Sequence, residues 1–179
     1  MHFDKFNNLL ELFNYQYKNQ EPDEIFLQAL KNSERQFTWY QVHDLVHRLS
    51  DKLSSVISKK DRCLLISENR PEWLISDLAI MLSYGITVPA YTTYTERDYD
   101  YLINDCKPTT IIISNNIQFK KIRNLISKYS FIKLVISFDE ISDEKIDVYN
   151  FKNIVNEKKL EKKSLEKLNL ERKDISCII

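Results

Sequence analysis

The chain has 179 residues, 43% of them apolar and 29% charged, with 26 basic side chains balanced by 26 acidic ones. That length allows one domain with a core, or one domain and part of a second, and the neutral balance excludes a general attraction to nucleic acid or anionic lipid. A transmembrane segment and a secretory signal are not expected: the best apolar run, Leu74 to Ala90, is interrupted by Asp77, and the N-terminus M-H-F-D-K-F-N-N lacks a basic-then-apolar pattern.

Residues 6–18 place Phe6, Leu9, Leu10, Phe13 and Tyr17 at helical spacing, which predicts an amphipathic first helix. E-I-F-L-Q-A-L (24–30) predicts a strand, K-N-S-E a turn, and R-Q-F-T the return strand of a hairpin. Thr38 and Gln41 have the spacing of a capping box, with Phe37 and Val42 at the positions of a hydrophobic staple. The helix expected behind that cap, over 39–58, carries Val42, Leu45, Val46, Leu49, Leu53 and Val56 on one stripe. Next come a buried strand at 62–67, a helix opened by Pro71 and stopped by Gly85, and a strand at 86–90. Thr95 then caps a helix over 96–105, and a strand (110–114), a helix (117–128) and another strand (132–137) follow.

This alternation predicts an α/β fold, a mostly parallel sheet flanked by helices, with a small hairpin near the N-terminus. Lys and Glu dominate 139–173, which reads as a solvated connection carrying one short helix, and I-S-C-I-I then begins a new strand. The expected organisation is an α/β portion over 1–138, the charged connection over 139–173, and a strand start over 174–179.

Three local patterns imitate functional sites. His43 and His47 flank Asp44 with the spacing of a zinc-binding helix, but register puts both imidazoles beside the apolar stripe and Asp44 outward, so surface histidines are expected. Asp98, Asp100 and Asp105 suggest a carboxylate pair, yet no partner is set by spacing, and Asp98 suits the first turn of its helix. Tyr91, Tyr94, Tyr99 and Tyr101 could stack on bases; without a basic surround they are expected to pack over the sheet ends. E-N-R-P-E-W (68–73) differs in kind, because it joins a strand to a helix at the carboxyl end of a parallel sheet, where ligands often bind. There Arg70 either pairs with a nearby acid while Trp73 packs under the sheet, or serves a ligand.

Two counts narrow the chemistry. Cys63, Cys106 and Cys177 are few, odd in number and far apart, so they read as reduced thiols in a cytoplasmic protein. Gly85 is the one glycine, whereas a phosphate cradle needs several, so neither a Walker loop nor a G-x-G-x-x-G turn can be built.

S-E-N-R-P-E-W-L-I-S-D-L-A-I-M-L-S-Y-G-I-T-V-P-A-Y-T-T (67–93) resembles the N-terminal region of adenylate-forming acyl-CoA synthetases, above all the long-chain fatty-acid–CoA ligases. The likeness extends through F-T-W-Y-Q-V (37–42), D-R-C-L-L-I-S (61–67) and Y-L-I-N-D-C-K-P-T-T-I-I-I-S (101–114), and is loosest over 115–173. Two departures stand out. Lys60 replaces the glycine usual before the Asp of the strand lead-in, and Ser83-Tyr84-Gly85 replaces an A-G-A-like helix end.

The resemblance implies a two-step reaction in which a fatty acid attacks the α-phosphate of ATP with magnesium present, and coenzyme A then displaces AMP. It also implies that the phosphate loop follows a strand like D-I-S-C-I-I (174–179), so the sequence reads as a truncated ligase, inactive alone. On that reading no catalytic, cofactor-binding or metal-binding role falls on any residue here. ATP, magnesium and coenzyme A are cofactors of the parent enzyme, which uses fatty acid and coenzyme A and is open to a peripheral membrane location. A C-terminal portion acting in trans is the implied protein partner. Two alternatives stay open: a stand-alone α/β binding or scaffold protein derived from a ligase, and an unrelated α/β domain.

Overall fold

The computed structural model describes residues 5–29, 32–156 and 169–179. Helix α1 (Leu9–Asn19) opens on Asn8, whose side chain accepts from the amide of Glu11 at 2.9 Å. Strands β1 (Ile25–Ala29) and β2 (Asn32–Thr38) pair antiparallel. Strand β2 already runs from Asn32, inside the expected turn K-N-S-E; residues 30 and 31 lie outside the described ones. Helix α2 (Trp39–Ser54) starts from the expected capping box, with Thr38 Oγ1 accepting from the Gln41 amide and Gln41 Oε1 accepting from the Thr38 amide.

The main sheet then builds in alternation: β3 (Arg62–Ile66), α3 (Pro71–Leu82), β4 (Ile86–Ala90), α4 (Glu96–Cys106), β5 (Thr110–Ile113), α5 (Asn116–Lys128) and β6 (Leu134–Ser137). Strand β7 (Tyr149–Asn150) and helix α6 (Phe151–Asn156) close the described series before residues 169–179. All pairings are parallel, in the order β4-β3-β5-β6-β7. Successive strand residues point to opposite faces, and the runs are mainly apolar because both faces are covered. Cys63, Leu65, Ile112 and Ile136 enter the core shared with α2, α3 and α6, while Leu64, Ile66, Ile111, Ile113 and Val135 enter the core shared with α4 and α5. Each fully buried Leu or Ile contributes about 1.5–3 kcal/mol relative to exposure.

Three element-level expectations are revised. The charged stretch after 139 is not uniformly solvated, since Ile141, Ile146, Val148, Phe151 and Ile154 are buried and β7 joins the sheet edge. Average composition hid these residues among the surrounding lysines and acids. The remainder of that stretch, 157–168, lies outside the described residues.

The second revision concerns α3, which ends at Leu82, and the left-handed residue behind it is Tyr84 (φ 61°), not Gly85. Gly85 is needed for space instead. A Cβ there would stand 3.0 Å from Ile80 Cγ2, 3.1 Å from Ile57 Cδ1 and 3.3 Å from the Ile80 carbonyl. Lys60 is left-handed too (φ 71°), and its amide donates to the Tyr84 carbonyl at 2.8 Å. The two residues that stand in for glycine in the resemblance thus keep the backbone that glycine favours.

The third revision concerns the histidines. His43 and His47 are 7% and 5% exposed, and Phe13 and Tyr17 of α1 cover His43 on a flank of α2 that register alone left open. The His43 ring stacks on Tyr17 at 3.9 Å and lies 4.6 Å from His47.

At the other edge residues 176–178 meet the sheet through one isolated bridge. Cys177 bridges in parallel to Thr87 of β4: the Thr87 amide donates to the Ser176 carbonyl and the Ile178 amide to the Thr87 carbonyl, both at 2.9 Å. Ile175 and Ile178 beside it are 62% and 42% exposed.

Candidate functional site at the carboxyl ends of the strands

The strand order reverses direction between β3 and β5, since the chain passes from β3 out to β4 and returns beyond β3 to β5. In open α/β sheets ligands bind outside the carboxyl ends at such a switch point. The residues there follow β3 (Glu68, Arg70, Glu72), β5 (Ser114, Asn115, Gln118) and β6 (Phe138, Asp139).

Pro71 sets Arg70 just outside α3, where the missing proline N–H costs nothing. The Arg70 guanidinium donates from Nε to Glu72 Oε2 at 2.9 Å, from Nη2 to Glu72 Oε1 and Asp139 Oδ1 at 3.0 Å each, and from Nη1 to the Ser114 carbonyl at 3.3 Å. Its face lies 5.2 Å from the Phe138 ring centre. Glu72 is 3% exposed and also pairs with Arg35 of β2. Burial alone would raise the Glu72 carboxyl, but hydrogen bonds from Arg70 and its own backbone, with the charges of Arg70 and Arg35, hold it below its ordinary range. The same acids raise Arg70 against the opposing effect of burial, so it stays charged.

Every nitrogen of Arg70 is thus engaged. The arrangement clamps the ends of β3, β5 and β6 to the hairpin, and it matches the acid-pairing reading of E-N-R-P-E-W, with Trp73 packed against the core. The sequence motif pointed to Arg70 and a nearby acid, without saying which. Arg35 and Asp139 come from 37 and 69 residues away, and nothing local marks them.

Beside the clamp, Glu68 accepts from Asn115 Nδ2 at 3.4 Å and Gln118 Nε2 at 3.5 Å. The buried Ser114 hydroxyl faces the same carboxylate but falls short of hydrogen-bond geometry. Burial pushes Glu68 up, and these polar neighbours with its own backbone bring it down below its ordinary range.

The remaining sequence candidates are dispersed. Asp98 completes a capping box with Thr95, and Asp100 is taken by Lys128 Nζ at 2.7 Å and the Tyr129 hydroxyl at 2.7 Å. Neither lies against Asp105 as a catalytic pair requires. Tyr99 is fully buried and donates to the Tyr91 carbonyl at 2.8 Å, whereas Tyr91 and Tyr101 are 70% and 75% exposed, so the four tyrosines do not pack alike. Asp44 pairs with Arg48 at 2.7 Å, and among the described residues no three His, Cys, Asp or Glu side chains converge as metal ligands. Gly85, the one glycine, is wedged between Ile80 and Ile57, which leaves it no room to turn around a phosphate. Among the described residues no helix is long and apolar enough to cross a membrane.

Comparison with known proteins agrees with the architecture. Long-chain-fatty-acid–CoA ligase ACSBG2 of Xenopus laevis is 25% identical over 92 residues, covering 51% of this chain and 12% of that protein. Long-chain-fatty-acid–CoA ligase ACSBG1 of Rattus norvegicus is 20% identical over 127 residues, covering 70% of this chain and 18% of that protein. The chain therefore spans less than a fifth of these relatives. Among solved structures, the anthranilate CoA ligase AuaEII in complex with anthranoyl-AMP superposes with a TM-score of 0.79 at 17% identity, covering 96% of this chain and 31% of that one, which shows a shared fold. Residues 15–179 match the AMP-binding enzyme family, and with the sheet order, the hairpin and the ligase relatives in agreement, the chain belongs to that family.

Proposed function

We propose that this chain is the N-terminal α/β portion of a long-chain fatty-acid–CoA ligase and has no ligase activity alone. The family match over 15–179 supports the first part. The observation that carries the second is the packing of Gly85, which leaves the 179 residues without a glycine for a phosphate cradle. On this reading 1–138 form the α/β portion, 139–173 a connection and 174–179 the start of a strand. No catalytic, cofactor or metal role belongs to a residue here; ATP, magnesium and coenzyme A are handled by residues outside this sequence, and a C-terminal portion is the natural partner in trans. The same reading implies a cytoplasmic location.

The test is palmitate-dependent exchange of pyrophosphate into ATP by the purified chain with magnesium, together with palmitoyl-CoA formation. Background rates in both are expected. Sustained exchange would overturn the assignment of chemistry to residues outside this sequence.

A further inference from the structure

Among the described residues three non-glycine positions have left-handed backbone, and two of them, Lys60 and Tyr84, are joined by a hydrogen bond and line the same cavity. Side chains are uncommon in that conformation, and where they persist a role for the side chain is the natural question. The cavity, about 160 Å³, lies at the amino ends of β3 and β4, beneath residues 170–176. Met81, Ile86, Leu170 and Ile175 give it apolar walls.

Lys59 and Lys60, both exposed, also belong to the lining, and Lys59 Nζ stands 5.8 Å from the Tyr84 ring centre. Lys173, also in the lining, is held by Glu171 at 2.8 Å. Asp174 accepts from the Glu171 amide at 3.0 Å; that bond, with the positive charge of Lys59, Lys60 and Lys173, keeps its carboxyl below the ordinary range despite some burial. The lining thus carries three lysines against two acids, one positive charge in excess beside an apolar space.

We infer that this cavity binds a small carboxylate with an apolar body of about six carbons, since an apolar cavity of about 150 Å³ takes one benzene-sized group. The hydrocarbon lies among Met81, Ile86, Leu170 and Ile175, and the carboxylate turns to Lys59 and Lys60. The inference rests on the cavity and its lining, independently of the ligase reading.

Methionine methyl labelling with carbon-13 reports on the site, because the sequence has two methionines, Met1 and Met81. Titrating the whole chain with sodium hexanoate is expected to move the Met81 resonance saturably and leave Met1 in place. Hexan-1-ol, with the same chain and no charge, is expected to bind about fivefold more weakly. The same loss is expected for hexanoate with the double variant Lys59→Gln, Lys60→Asn, asparagine being tolerant of left-handed backbone. A static Met81 signal, hexanol equal to hexanoate, or undiminished binding by the double variant each overturns the inference. Should that variant fold poorly, added salt replaces it: weaker hexanoate binding at high ionic strength supports the lysine contact, and unchanged binding overturns it.

Discussion

Arg70 grips Glu72 through two parallel hydrogen bonds, Nε to Oε2 at 2.9 Å and Nη2 to Oε1 at 3.0 Å, although only one residue separates them in sequence. The acid is almost wholly enclosed, so removing its charge leaves the Arg70 guanidinium to the more exposed Asp139. Glu72→Gln is expected to lower stability by about 3 kcal/mol in urea unfolding. The folded-state pKa of Glu72 is depressed, so its contribution is complete above the unfolded value of about 4.3 and is lost as pH falls through the folded one. Acidification from pH 6 to pH 3 should therefore narrow the gap between the two proteins. A constant gap would show that Glu72 acts by shape alone.

Asp77 predicts the opposite sign. Burial on α3 raises its carboxyl, and the nearby Thr87 hydroxyl offsets this only in part. The folded state then holds the proton more tightly than the unfolded one, and at neutral pH the charged acid is a liability. Asp77→Asn is expected to raise the melting temperature at pH 7, with the gain vanishing below the ordinary carboxylate pKa of about 3.9. A variant less stable than the parent at neutral pH would refute this.

The neighbourhood of Gly85 separates two uses of glycine. Gly85→Ala puts a carbon within 3.0 Å of Ile80 Cγ2 and 3.3 Å of its carbonyl, and should cost about 1–3 kcal/mol. Lys60→Gly relieves a left-handed side chain exposed to solvent and should be stabilising by about 0.5 kcal/mol once the greater freedom of unfolded glycine is deducted. Chemical denaturation of the pair checks the contrast in sign.

The three thiols should report opening of the sheet. Burial, aided by Asp61, pushes the Cys63 thiol up to about 12, and burial pushes Cys106 up to about 11. Cys177 is exposed, with a thiol raised by its partial burial and by Asp77. At pH 8 an aromatic disulfide reagent is expected to label Cys177 first and Cys63 only at the rate of global unfolding. Rapid labelling of Cys63 in the native protein would contradict the parallel pairing of β3 with both neighbours.

Much of this architecture was written locally. Apolar runs bounded by turn residues marked β3, β4, β5 and β6, and the hydroxyl caps at Thr38 and Thr95 marked two helix starts to the residue. What escaped was decided by distant neighbours. His43 is covered by the aromatic rings of α1, with His47 beside it, which helical register on α2 cannot reveal. The two-residue β7 has no period to detect, and its anchor is Asn150, which accepts from the Ile141 amide at 2.7 Å and donates back to its carbonyl at 3.2 Å. Arg35 and Asp139 meet at Arg70 and Glu72 only once the hairpin and β6 are in place.

The Thr87–Cys177 contact also governs what the β4 edge can accept. Residues two apart on a strand turn their backbone polar groups to the same side, so Pro89 faces outward with Thr87 and presents a carbonyl without an N–H. The chain's own 176–178 segment takes both partners at Thr87, and a strand continuing along the edge finds half of them at the following level. Identical molecules laid flank to flank would lose a hydrogen bond at every such junction, which discourages fibrous growth from this side and favours a short guest in one alignment.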